Sequence, residues 1–227
     1  MIQAYDRAAN VIRRIYDRRI EGPPVLDTQS YFPDASRFVD SWPRIRDEAR
    51  AVAMHLQGVP RAHEIMPEQA DLSANDGRDW RAFMLKAYGV EISRNVAKCP
   101  TLAALVSSAP DVVSALISYL APGKHIPLHR GPFRGVLRFH LSLSMPKSDN
   151  GTPAAVLKIA DTEYRIPDGE CLLWDDTYPH EVWNSSNEVR AALLLDIRRR
   201  HMPKDMELLS RLLMVVIRTG IRVRGIS

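Results

Sequence analysis

The sequence contains little cysteine: Cys99 and Cys171 are the two cysteines among its 227 residues. A disulfide framework or a cysteine-rich zinc site needs more thiols than this, so the sequence excludes both classes of protein. This cysteine usage favours a reducing, cytosolic setting.

Long hydrophobic runs are also missing. The longest one, "LLMVVI" at Leu212–Ile217, falls far short of the roughly 20 residues that cross a bilayer. The N-terminal segment "MIQAYDRAANVIRRIYDRRI" is charged throughout, which predicts no signal peptide. We therefore expect a cytoplasmic protein, with a peripheral position on the inner face of the cytoplasmic membrane as the open alternative.

Positive charge is concentrated at the C-terminus. The chain carries a net charge of +4, and from Arg198 onward eight Arg and Lys residues face only Asp205 and Glu207. Residues 204–227 therefore predict a basic amphipathic helix, which either lies on an anionic membrane surface or packs on the body with its arginines solvated. No basic platform interleaved with aromatic residues occurs, so no nucleic-acid partner is expected.

The pattern of apolar residues changes near residue 90. Residues 1–90 predict helices that pack on the core within the same domain, and residues 91–203 predict the β-rich core. Within the first helix, residues 2–20, the spacing i, i+3, i+4, i+7 predicts one apolar face. That face consists of Ala8, Val11, Ile12 and Ile15.

The core segment alternates between apolar and polar residues. In "GVLRFHLSLSM", Arg138 and His140 fall on one face of a strand, opposite Leu137 and Phe139. Several short strands of this kind, separated by turns, indicate an α+β protein with a β-sandwich or jelly-roll core.

Three histidines lie where a metal site is plausible. His180 occurs in "WDDTYPHEVWN", while His125 and His129 occur in "GKHIPLHRG", where Pro127 disfavours a helix. A pair made of His180 and one of the others suits iron, zinc, copper or nickel, although each histidine alone is also typical of an ordinary packed residue. Gly131 stands where non-haem iron oxygenases normally carry a carboxylate. A zinc hydrolase would need a base and a third ligand, and neither is evident.

The stretch "HIPLHRGPFRGVLRFHLSL", followed by "WDDTYPHEVWNSSNEVRAALLLDIRR", resembles the aspartyl/asparaginyl β-hydroxylase family of 2-oxoglutarate-dependent oxygenases. This family has an H-x-G motif without a carboxylate ligand, a DD-x-x-x-HEVWN block and a downstream arginine. The resemblance covers about residues 78–203, and its spelling is most similar to the bacterial branch of lipid A acyl-chain hydroxylases. It implies a double-stranded β-helix of the jelly-roll or cupin-like type, with an N-terminal helical layer and a C-terminal helix.

The resemblance also implies a metal site. His129 and His180 would bind Fe(II), and water would take the place of the missing carboxylate ligand. Asp176 would orient that water or His180.

Four further residues would hold the cosubstrate. Arg190 would pair with the distal carboxylate of 2-oxoglutarate, because a guanidinium matches a carboxylate with two parallel hydrogen bonds. Ser118 would donate to the same carboxylate, and His140 would contact the end nearest the iron. Arg138 would hold either the cosubstrate or an acidic group of the substrate.

The expected activity is O2-dependent hydroxylation of an unactivated carbon near a carbonyl or carboxylate. The expected partner is a small-molecule, acyl or aminoacyl substrate, with a lipid A-like molecule as one candidate. The alternatives are Asp or Asn β-hydroxylation of a free, peptidyl or carrier-bound amino acid, and a non-catalytic jelly-roll module that binds a small acid.

Overall fold

The fold begins with helices, continues through strands and ends in one long helix. A computed structural model describes the backbone of residues 2–223 and the side chains from residue 7 onward. The helices are α1 Ile2–Asp17, α2 Thr28–Tyr31, α3 Ala35–Asp40, α4 Trp42–Ala53, α5 Ala62–Ile65, α6 Ala70–Ser73, α7 Ser93–Val96, α8 Pro100–Ser108 and α9 Lys204–Val223. Residues 224–227 of the predicted C-terminal helix lie outside the described residues. None of the helices within residues 2–223 has the length and apolar character needed to cross a membrane.

The strands form two antiparallel sheets. They are β1 Trp80–Ala87, β2 Val90–Glu91, β3 Val112–Leu120, β4 His125–His129, β5 Val136–Ser144, β6 Ala155–Ile159, β7 Thr162–Tyr164, β8 Cys171–Trp174, β9 His180–Asn184 and β10 Arg190–Arg198. One sheet has the order β2-β1-β3-β10-β5-β8 and the other the order β4-β9-β6-β7. This arrangement confirms the predicted α+β class with a double-stranded β-helix core.

The hydrophobic core lies between the six-stranded sheet and the N-terminal helices. Leu137 and Phe139 of β5 are fully buried there, and Phe139 packs edge-on against Phe32, with ring centroids 5.2 Å apart. Arg138 and His140 point to the opposite face, toward the four-stranded sheet, as the alternation predicts. One face of the large sheet thus stabilises the fold, and the other lines a cavity.

The start of the core differs from the predicted boundary at residue 90. β1 and β2 precede or span that boundary, yet they pair with each other and, through β1, with β3. The sheet therefore recruits residues from 80 onward, and Trp80 enters the cavity from the segment that was predicted to be helical.

Helix α1 buries a different face from the one predicted. Val11 and Ile15 are exposed, at 57% and 39%, whereas Ala9 and Tyr16 are buried. The reason is a polar contact: the Tyr16 hydroxyl lies 2.6 Å from Ser210 Oγ on α9, and a buried hydroxyl needs such a partner. The prediction for Ala8, Val11 and Ile15 was wrong, and Ile12 is partly buried.

Buried ion pairs fix the segment after β8. Asp175 is fully buried, and its carboxylate lies 2.9 Å from Arg134 Nε and 2.7 Å from Arg199 Nη1. Asp175 also accepts a hydrogen bond from the Thr177 hydroxyl at 2.6 Å. Because removing one partner of a buried pair leaves an uncompensated charge, this network holds the β8–β9 connection rigidly. Asp176, the next residue, is thereby aimed at the cavity.

Candidate metal and cosubstrate site

The two predicted metal ligands face each other across a strand pair. β4 and β9 are antiparallel, with His129 directly opposite His180, and the ring centroids are 4.0 Å apart at 57°. In each ring Nδ1 lies within hydrogen-bond distance of a backbone carbonyl, Pro127 O at 2.8 Å and Tyr178 O at 2.9 Å. Carbonyls accept only, so each Nδ1 carries the proton and each Nε2 presents a lone pair.

Burial keeps both imidazoles neutral. It lowers the pKa of His129, and it lowers that of His180 further, with the neighbouring His129 adding to the effect. Trp174 packs edge-on against His180, with ring centroids 4.5 Å apart. A histidine must be neutral to bind a metal, so these properties suit a two-histidine metal site.

Among the described residues, no third protein ligand accompanies the two histidines. Within this part of the chain, no group of three or more His, Cys, Asp or Glu side chains could hold a metal. Gly131 stands where a carboxylate ligand would be expected, and it has no side chain. A Cβ on Gly131 would overlap Asp176 Oδ1, and the Gly131 amide donates to the Asp176 carbonyl at 2.6 Å. The Asp176 side chain therefore occupies the position that a side chain at residue 131 would need.

Asp176 is held in an unfavourable environment for a charge. Burial raises its pKa to about 7, which Asp196 reinforces and Arg138 opposes. Its Oδ2 lies 3.2 Å from Arg138 Nη2, while its Oδ1 is buried without a hydrogen-bond partner. An unsatisfied carboxylate oxygen in the same cavity as two Nε2 lone pairs fits a metal with a bound water better than it fits a purely structural site.

Arg138 lies between two carboxylates. Besides Asp176, it pairs with Asp196 on β10, at 2.8 Å from Arg138 Nε. Sequence reasoning assigned Arg138 to the cosubstrate or to an acidic substrate group, and the structure gives it two partners from the chain itself. The Asp196 contact was missed, although alternation along β10 from Arg190 places Asp196 on the cavity face.

Arg190 defines the other end of the site. It is buried, at 3% exposure, and burial lowers its pKa to about 10. Its Nη2 lies 2.6 Å from His140 Nε2, its Nε has no hydrogen-bond partner, and no carboxylate within the described residues pairs with it. A buried guanidinium without a counterion is costly, and an anionic ligand would supply the missing charge.

The residues around Arg190 make this end of the cavity suitable for binding a carboxylate. Burial, helped by the Arg190 charge, lowers the pKa of His140 well below its usual range, so His140 accepts from Arg190 and stays neutral. Ser118 Oγ accepts a hydrogen bond from Trp80 Nε1 at 3.1 Å, which leaves the Ser118 proton available as a donor. Trp80 was not singled out from the sequence, since no spacing marks a lone tryptophan as part of a site.

One cavity of about 2020 Å³ connects these groups. All the predicted site residues line it: Ser118, His129, Arg138, His140, Asp176, His180 and Arg190. His125 does not; it stacks on Trp183, with ring centroids 5.1 Å apart. The cavity also extends to α1 and α9, so it is open far beyond the metal and cosubstrate positions.

The contact between Gly131 and Asp176 predicts a double-mutant effect. Gly131→Ala forces its methyl group into the Asp176 carboxylate, and we expect a loss of about 1–3 kcal/mol in the free energy of unfolding, measured in urea. In the Asp176→Ala background the same change should cost far less, because the carboxylate is gone. Gly58→Ala, where a Cβ meets nothing within 4 Å, is the matched control. Equal costs in the two backgrounds would contradict this account.

The raised pKa of Asp176 predicts a pH-dependent stability difference. The folded pKa of about 7 exceeds the reference value of 3.8, so ionisation of Asp176 progressively destabilises the metal-free fold as pH rises between these values. Asp176→Asn removes this effect, and its advantage in melting temperature over the wild type should grow from pH 4 to about pH 7 and then level off. Gly58→Ala, which changes no titratable group and whose Cβ meets nothing within 4 Å, should show no such trend. An advantage that shrinks with rising pH would show that burial does not govern Asp176.

Comparisons with known proteins show the family of the chain. A sequence profile described as aspartyl/asparaginyl beta-hydroxylase matches residues 39–200. An ornithine lipid ester-linked acyl 2-hydroxylase from Rhizobium tropici is 34% identical over 178 residues, covering 78% of this chain and 61% of that protein. The aspartyl/asparaginyl beta-hydroxylase of Homo sapiens is 27% identical over 162 residues, covering 69% of this chain and 20% of that protein.

The chain thus spans less than two thirds of the length of either relative. Among solved structures, a prolyl-4-hydroxylase from Pseudomonas putida overlaps 73% of this chain and 99% of its own, with a TM-score of 0.38 and 17% identity. The profile match runs through most of the 227 residues and includes both the H-x-G motif and the HEVWN block. The chain therefore belongs to the aspartyl/asparaginyl β-hydroxylase family.

Proposed function

We propose that this protein is an Fe(II)- and 2-oxoglutarate-dependent dioxygenase that hydroxylates an unactivated carbon near a carbonyl or carboxylate. The observation that carries the proposal is the buried, unpaired Arg190 in the same cavity as the His129–His180 pair. Arg190 suits one carboxylate of a dicarboxylate, and the histidine pair suits a metal ion. 2-Oxoglutarate meets both requirements, because it is a dicarboxylate whose keto acid end chelates iron.

The histidines would hold the metal ion. His129 and His180 direct their Nε2 lone pairs away from the carbonyls that fix their tautomers, which suits Fe(II). When bound, the iron together with 2-oxoglutarate and O2 would supply the oxidising chemistry, which no side chain can perform. Asp176 would accept a hydrogen bond from a water at the position without a protein ligand, using its unsatisfied Oδ1.

The chain's other residues would orient the cosubstrate and exclude water. Arg190 would receive the distal carboxylate, with the Ser118 hydroxyl as a second donor. Neutral His140 fixes the Arg190 side chain and adds no charge of its own. Trp80 and Trp174 are buried and wall this part of the cavity, where they would limit the contact of bound cosubstrate with water.

An acyl chain is the substrate that the cavity suits best. Met84, Leu116 and Leu194 of neighbouring strands form an apolar row of its floor, beside the polar row of Ser114, Asp196 and Arg138. The similarity to an ornithine lipid acyl 2-hydroxylase supports the same class of substrate. Hydroxylation of an Asp or Asn residue is the second candidate. Arg94 and Lys98, which also line the cavity, favour it because they could receive an acidic group.

Anaerobic absorption spectroscopy tests the proposal. Adding Fe(II) and then 2-oxoglutarate to the metal-free protein should produce a visible charge-transfer band, because the keto acid chelates iron that the two histidines hold. His180→Ala should lose the band, and Arg190→Ala should need at least tenfold more 2-oxoglutarate. Arg165→Ala, which changes an exposed arginine outside the cavity, is the matched control.

The outcomes separate the candidate functions. Iron binding without any band in the wild type would contradict 2-oxoglutarate dependence. A band with no succinate released in air, with either ester-linked acyl lipids or Asp- and Asn-containing peptides, would favour the non-catalytic binding module.

A further inference from the structure

The C-terminal helix presents an apolar stripe to solvent. Leu208, Leu212 and Val216 are 69%, 60% and 61% exposed, and they recur every four residues along one side of α9. Val215 and Val223 lie on the same side and are also exposed. Exposed apolar residues that are contiguous mark an interaction surface, whereas scattered ones do not.

Helix α1 extends this stripe. Arg19, in the turn that follows α1, donates from Nε to Asp205 at 2.9 Å, and this ion pair joins the end of α1 to α9. Asp205 lies on the side of α9 that carries Leu208, three residues later. We call the combined exposed surface the α1–α9 face; its apolar members are Val11, Ile15, Leu208, Leu212, Val215, Val216 and Val223.

The α1–α9 face is bordered by positive charge. The two helices and the turn after α1 carry exposed basic side chains: Arg7, Arg14, Arg18, Lys204, Arg211 and Arg222. Asp205 pairs with Arg19, Glu207 with Arg211 and Asp17 with Arg134, so the other basic side chains are in excess among the described residues. An apolar stripe bordered by arginines complements a bilayer with anionic headgroups, in which the stripe enters the acyl boundary and the arginines meet the phosphates.

The opposite side of the same helices borders the cavity. Ile217 and Ile221 of α9 line it, as does Asn10 of α1. Arg218 Nε donates to the Tyr88 carbonyl at 3.0 Å and so ties α9 to the turn between β1 and β2. Helix α9 therefore lies between the apolar stripe and the cavity, so a bilayer on the α1–α9 face would be about one helix diameter, roughly 10 Å, from the lining residues.

We propose that the α1–α9 face docks on the surface of an anionic lipid bilayer, with the cavity on the other side of the docked helices. The docking itself depends only on the exposed stripe and its charges. The consequence, that the site is held close to a surface that carries acyl substrate, rests on the proposed function.

Vesicle flotation with the full chain tests the docking. The probe is phosphatidylcholine vesicles with 30% phosphatidylglycerol, compared with pure phosphatidylcholine. The wild type should float with the anionic vesicles at low salt and progressively less as salt rises, because screening weakens the contribution of the arginines. Leu212→Asp/Val216→Asp should reduce the floated fraction at least tenfold.

Two matched controls guard against general effects of surface charge. Met54→Asp changes another highly exposed apolar residue, 76% exposed, away from the α1–α9 face. Lys147→Glu matches Arg211→Glu, and only the latter should weaken flotation. No flotation of the wild type at low salt, or equal loss in Met54→Asp, would overturn the proposal. A wild-type dimer that becomes a monomer in Leu212→Asp/Val216→Asp would assign the face to a second copy instead.

The charge-transfer band separates this proposal from the proposed function. Leu212→Asp/Val216→Asp leaves the metal and cosubstrate residues untouched, so it should retain the band while it loses vesicle binding. Failure of the oxygenase proposal would remove the band from the wild type and leave its flotation intact.

Discussion

The register between β4 and β9 is the constraint on which the site depends. It places His129 opposite His180, and because strand side chains alternate between faces, a slip by one residue would turn one imidazole away from the other. The same two strands belong to the four-stranded sheet, whereas Arg138, His140 and Arg190 belong to the six-stranded one. The site therefore exists only when the two sheets face each other across the cavity.

Buried charged groups are fully paired in the scaffold but not in the site. Asp175 is satisfied by Arg134 and Arg199, and this pairing fixes the chain just before Asp176. In the cavity, by contrast, Asp176 has an oxygen without a partner and Arg190 lacks a counterion among the described residues. Unsatisfied buried groups destabilise a fold, so their concentration next to a fully satisfied network is typical of a site built for a ligand.

The sequence predicted the parts of the structure that depend on local spacing. Alternation along β5 placed Arg138 and His140 on one face, and the H-x-G and HEVWN motifs located the histidine pair. The Arg138–Asp196 contact depends on the register between β5 and β10, which no single segment encodes. The role of Gly131 could not be predicted either, since the side chain that fills its space comes from a residue 45 positions later.

The buried face of α1 could not be predicted from the sequence either. Its apolar spacing correctly indicated a helix, but apolar residues occur on more than one side, and the buried side was selected by the Tyr16–Ser210 contact with α9. Val11 and Ile15 consequently remain exposed. Amphipathic spacing thus predicted the helix, but it could not predict which apolar side is buried, because that depends on contacts with α9.

Anomalous diffraction from crystals grown without oxygen, with Fe(II) and 2-oxoglutarate, tests the central claim most directly. We expect one iron peak bound by Nε2 of both His129 and His180, with no other protein ligand, and a carboxylate of the keto acid on Arg190. Iron held by other residues, or a keto acid whose carboxylates both lie away from Arg190, would contradict it.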